Sequence, residues 1–176
     1  MVRTREHMAT DISTNNNPDF RLLETLADFQ AHALKAVQSG RRHLCVLSET
    51  LDSPLYNTDE FRDAVRVLVT QDRYATARFL VKDIKPLVEH GHRLLQLARR
   101  LAGKVEVRKL TEPPQNDRCA WLIVDNATLL YKQDEAIYSG YVDYAAAPKC
   151  KLLLEEFTNL WELYGEEDPN LREQLM

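Results

Sequence analysis

Residues 118–132, RCAWLIVDNATLLYK, decide how this chain is read. AWLIVD and TLLYKQ are apolar runs too short for ordinary helices, and they flank Asn126-Ala127 like the arms of a hairpin, so two antiparallel strands are predicted here. Immediately upstream, KVEVRKL (104–110) supplies another strand, separated from the hairpin by a Pro113-Pro114 loop. Further upstream, HLCVLS (43–48) and Ala77–Val81 are short apolar runs without alternation, the pattern of strands covered on both faces.

Helical spacing fills the gaps between these strands. Leu23, Leu26, Ala27, Ala33, Leu34 and Val37 predict a first helix beginning at Phe20 and stopping at Gly40. Asn57 with Glu60 three residues later predicts an N-cap for a helix bearing Phe61, Ala64, Val65 and Leu68. Asp83 is placed to cap a third helix, with Pro86 in its first turn and Leu87, Leu94, Leu95, Leu97 and Leu101 running unbroken to Gly103. Beyond an extended stretch from Ala136 to Tyr144, Pro148 opens a last helix with Leu152, Leu153, Phe157, Leu160, Trp161 and Tyr164. The pattern is an α/β domain with a mixed, mostly parallel sheet flanked by helices.

Composition narrows the functional classes. The 176 residues, 44% hydrophobic and 28% charged, suffice for one domain, here 19–165, between a flexible N-terminal tail (1–18) and a C-terminal tail (166–176). A net charge of −4 gives no global basic field, so nucleic acid is not an expected partner. Cys45, Cys119 and Cys150 are scattered and odd in number, which predicts neither disulfides nor a zinc site and fits a reducing cytoplasm. No apolar run is long enough for a membrane span, and no signal sequence is visible.

The order of elements, carried by RFLVKD with HGHRLLQLARRL, by VEVRKL, by WLIVD with TLLY, and by a closing EEFTNLW helix, resembles one repeat of the phospholipase D superfamily across residues 20–164. HGHRLL and the F-x-x-LW element are also similar to an uncharacterised bacterial domain that follows some GNAT acetyltransferase modules, which implies an acetyltransferase as one expected partner. The active superfamily carries HxK, four residues, then Asp. Its histidine attacks phosphorus and its lysines hold phosphate oxygens. With Asp125 matched to the motif's aspartate, Arg118 stands at the histidine and Ala120 at the lysine, and the following Gly-Ser element falls near Lys132 and Gln133. No histidine occurs after His92. The resemblance thus implies the fold and argues against its phosphodiesterase chemistry.

Open α/β sheets bind ligands at strand C-terminal ends, which here nominates Glu49, Lys82, Asp83, Lys109, Arg118 and Asp125 as a ligand site. Catalytic residues, metal ligands and cofactors are not expected. His90 and His92, two apart, cannot share a metal from one helix, and Ser48 lacks the glycines of a nucleophile elbow. The expectation is a catalytically inactive binding module for a protein partner or small anionic ligand. Its rivals are an enzyme built around Glu49, Asp83, Arg118 and Asp125, and a nucleic-acid binder using Arg41, Arg42, Arg99 and Arg100. The aromatic residues from Tyr138 to Tyr164 raise a homodimer as a further expectation.

Overall fold

The two arms of the predicted hairpin become neighbouring strands, and the sheet grows outward from them. The computed structural model describes residues 17–172. In chain order the elements are β1 (Phe20–Leu23), α1 (Leu26–Ser39), β2 (His43–Ser48), α2 (Ser53–Tyr56), α3 (Asp59–Thr70), β3 (Thr76–Val81), α4 (Lys85–His90), α5 (Arg93–Arg100), β4 (Val105–Leu110), β5 (Ala120–Val124), β6 (Thr128–Lys132), β7 (Gly140–Asp143), α6 (Ala147–Tyr164), β8 (Gly165–Glu166) and α7 (Pro169–Arg172). They form one eight-stranded sheet in the order β1-β7-β6-β5-β2-β3-β4-β8.

The sheet is mixed, as expected, but not mostly parallel. Only β2–β3 and β3–β4 pair in parallel, because from β5 onward the chain returns through hairpins and antiparallel joins. Period-two alternation sorts the apolar runs between two cores. Leu44, Val46, Phe79, Leu122 and Val124 face α1, α3 and α5 through Phe29, Phe61 and Leu94. Leu47, Leu80, Trp121 and Ile123 face α6 through Phe157, Leu160 and Trp161. Both faces of β5 are buried, so its sequence is continuously apolar.

Asp125 holds the hairpin to the rest of the sheet. It and Asn126 adopt positive φ (51° and 59°) at the β5–β6 turn. The Asp125 carboxylate accepts hydrogen bonds from the backbone N–H groups of Arg41 (2.7 Å), Arg42 (2.8 Å) and His43 (3.0 Å). It therefore closes the loop that enters β2, and the residue matched to the motif's aspartate is a structural clamp.

Four local expectations are revised. Phe20–Leu23 is an edge strand on β7, and α1 starts later because Thr25 accepts from the Asp28 N–H as its N-cap. Thr58 caps α3, while the Asn57 side chain accepts from Arg93 N–H at 2.9 Å. The helix drawn from 83 to 103 breaks at Gly91, whose φ of 72° ends α4, and His92 caps α5. Residues 165–172 do not trail off: β8 extends β4, and Leu171 of α7 is buried in the core. The N-terminal tail lies outside the described residues except for its last two. Among described residues no helix is long and apolar enough to cross a membrane.

Replacing Asp125 by alanine leaves three amides without their acceptor, with an expected loss of about 2 kcal/mol, and asparagine, which keeps one acceptor oxygen, should lose about half of that. Urea unfolding reads both, and an unchanged midpoint for Asp125→Ala would show the clamp to be idle.

Candidate functional site

β2 and β3 end at Ser48 and Val81, β5 begins at Ala120 and β6 ends at Lys132, so four strand termini converge on one edge of the sheet. A cleft of about 490 Å³ opens there, lined by Glu49, Lys82, Glu112, Asp117, Arg118, Asp134 and Glu135 among others. A smaller cavity of about 210 Å³, lined by Ser48, Asp52, Tyr56 and Lys132, adjoins it through Glu49 and Glu135.

Lys82 sits at the centre with every ammonium proton matched. It donates to Glu135 Oε1 (2.8 Å), to the Asp117 carbonyl and, more weakly, to the Cys119 carbonyl (3.4 Å). Both members of the Lys82–Glu135 pair are largely buried, at 13% and 11% side-chain exposure. Lys132 is buried too; it donates to the Glu135 carbonyl at 2.8 Å and lies 4.4 Å over the Tyr138 ring. Burial draws its pKa down. Tyr138 in turn donates to Asp52, and Tyr138 and Tyr56 have raised pKa values because burial disfavours their phenolates.

Glu135 is the unusual group. Burial and the neighbouring Glu49 side chain outweigh the Lys82 charge and push its pKa up to about 8, and its second oxygen has no protein partner. The open part of the cleft is acidic: Glu49, Glu112, Asp117 and Asp134 face Arg118, an exposed side chain with no ion pair among the described residues.

Of the six nominated residues, the fold gathers Glu49, Lys82 and Arg118. It sends Asp125 to the opposite end of the sheet, where β5 meets the start of β2. Lys109 lines neither cavity, and Asp83 accepts from Lys85 N–H at 3.0 Å in a local turn. The sequence reading missed Lys132 and Glu135. Lys132 had a signal, since reflecting the hairpin about Asn126 pairs it with Ala120, the position matched to the motif's lysine.

The other nucleophile candidates are closed. His92 is buried, its Nε2–H donates to Leu51 O (3.0 Å), its Nδ1 accepts from Leu94 N–H (3.1 Å), and burial draws its pKa to about 4. Ser48 Oγ accepts from Leu51 N–H. Burial pushes the Cys45 and Cys150 thiols up to about 11, so neither supplies a thiolate near neutrality. No group of three or more metal-ligating side chains forms among the described residues. Phe157 and Trp161 pack the core, Tyr131 and Tyr141 stack on each other, and Tyr144 bonds His32. Contacts within one chain thus engage most of the aromatic cluster, while Tyr164 stays 41% exposed.

Comparisons with known proteins follow the same outline. Among solved structures, the chain is similar to TrmBL2, an archaeal chromatin protein with a novel mode of DNA binding, at a TM-score of 0.62 and 16% identity. That match covers 89% of this chain but 57% of TrmBL2, so the chain spans little more than half of that protein. It is also similar to NucT from Helicobacter pylori, at a TM-score of 0.55 and 10% identity, covering 84% of this chain and 99% of NucT. The likeness shows the fold, an α/β domain with a mixed sheet flanked by helices. A search of curated proteins finds no significant match. One family model matches residues 25–174, nearly the whole of the fold, and the chain belongs to that family, the domain of unknown function DUF7931.

Proposed function

We propose that this chain is a catalytically silent phospholipase D-like binding domain whose strand-end cleft receives a positively charged group. One observation carries the reading: the three ammonium protons of Lys82 are held by Glu135 and two backbone carbonyls, so the central cation has no donor left for a ligand phosphate. Lys132 donates to the Glu135 carbonyl and lies against the Tyr138 ring, and no histidine lines either cavity. What faces solvent is mostly carboxylate, which repels anions and attracts amines or guanidinium groups. A small anionic ligand therefore fits less well than a lysine- or arginine-bearing partner protein. The acetyltransferase implied by the resemblance is one candidate for that partner.

Thermal-shift and calorimetric titrations with a lysine/arginine-rich peptide, spermine, inorganic phosphate and a mononucleotide separate these cases. Cationic probes should raise Tm, and Glu49→Gln combined with Asp134→Asn should abolish the shift. A phosphate or nucleotide shift that disappears in Arg118→Ala would reverse the sign assigned to the cleft. Turnover of a phosphodiester by the purified chain would refute catalytic silence.

The raised pKa of Glu135 sets a pH signature. A carboxyl whose folded pKa exceeds its unfolded value stabilises the fold below the unfolded pKa and loses that contribution as pH rises through the folded one. Stability should fall between pH 4.5 and about 8, and Glu135→Gln should flatten the fall. A wild-type profile flat across that window would contradict the burial of this carboxyl.

A further inference from the structure

The acidic total hides a segregation of charge. While carboxylates gather where β2 and β3 end, the opposite edge, where β2, β3 and β4 begin, collects Arg41, Arg42, Arg73 and Lys104. Three short loops carry them, and hydrogen bonds tie the loops together. Gln71 Nε2 donates to the Gly40 carbonyl at 2.8 Å, and Lys104 Nζ donates to the carbonyls of Asp72 (3.1 Å) and Arg73 (3.0 Å). The two acids nearby, Asp125 and Asp72, offset only part of this charge, since four cations face two carboxylates. Asp125 is held by three backbone amides, and Asp72 makes one long contact with Arg42 at 3.7 Å.

Tyr74 stands among these cations as an exposed ring. Its side chain is one of the large apolar groups left in solvent, at 59% exposure. The Arg73 guanidinium covers one face at 4.5 Å and leaves the rest open. Cations on braced loops around an open aromatic ring have the chemistry that holds a nucleic acid strand: phosphates on the arginines, a base on the ring. A duplex keeps its bases stacked inside and cannot use the ring in this way.

We propose that this edge of the sheet is a docking surface for single-stranded nucleic acid, with Arg41, Arg42 and Arg73 on the phosphates, Lys104 bracing the loops that carry them, and Tyr74 stacked on a base. The surface is separate from the cleft. The acidic end, being remote and of opposite sign, orients the molecule so that the basic edge meets the polyanion.

Fluorescence anisotropy with a labelled oligothymidylate tests the assignment, using the full chain. Arg41→Glu and Arg73→Glu are suitable variants, because neither side chain braces the loops as Lys104 does. Lys85→Glu, at the opposite end and 75% exposed, makes the same change in net charge as either single variant and half that of the pair. The wild type should bind, with affinity falling steeply from about 50 to 200 mM salt. The double variant Arg41→Glu/Arg73→Glu should bind at least about tenfold more weakly with a shallower salt slope, Tyr74→Ala should weaken binding, and Lys85→Glu should not. Circular dichroism melts confirm that each variant is folded. The proposal fails if the wild type does not bind at the lowest salt, or if Lys85→Glu weakens binding as much as the double variant. It also fails if a duplex of equal length competes better than the single strand, or if phosphatidylserine vesicles are bound and oligonucleotides are not.

Discussion

A lysine ammonium has three protons, and at the meeting point of four strand ends Lys82 finds three acceptors within its own chain. That saturation shapes everything around it. Two of the acceptors are carbonyls of the segment entering β5, so the lysine ties that segment to the end of β3. The third, Glu135, brings the segment after β6 down onto the end of β3 and places its carboxyl beside Glu49. Removing Glu135 would leave the largely buried Lys82 ammonium short of an acceptor.

The position that the resemblance matches to the motif's lysine has its cation on the neighbouring strand. Ala120 on β5 is small, and Lys132 stands directly across from it on β6. A cation is still supplied to the same neighbourhood, but from the adjacent strand, and there Tyr138 and the Glu135 carbonyl hold it. Asp125, matched to the motif's aspartate, serves the far end of the sheet by gathering three amides. Lys82, Lys132 and Glu135 thus satisfy one another within the chain.

The sheet was legible in the sequence because its strands are buried on both faces and read as uninterrupted apolar runs, as AWLIV and HLCVLS do. Phe20–Leu23 misled because four apolar-rich residues before a capped helix match its periodicity, and the Thr25–Asp28 cap was the better boundary. Gly91 lies inside the helix predicted to run to Gly103, and the break it makes depends on a positive φ that sequence alone does not reveal. At the site, Glu49, Lys82 and Arg118 followed from topology, while Glu135 did not. It lies in an irregular segment, and only tertiary packing brings it to Lys82 from 53 residues away. The segregation of charge was hidden for the same reason: net charge sums over the two ends of a sheet that only the folded topology separates.

The most direct test of the account measures whether Lys82 and Lys132 are available at all. Pulse acetylation of the native protein with mass-spectrometric readout compares their amine reactivity with that of the exposed Lys85 and Lys149. The account predicts that Lys82 and Lys132 react at least about tenfold more slowly, since burial and internal acceptors shield them. Equal labelling rates, or labelling of Lys82 that inorganic phosphate suppresses, would contradict it and return the cleft to anion binding.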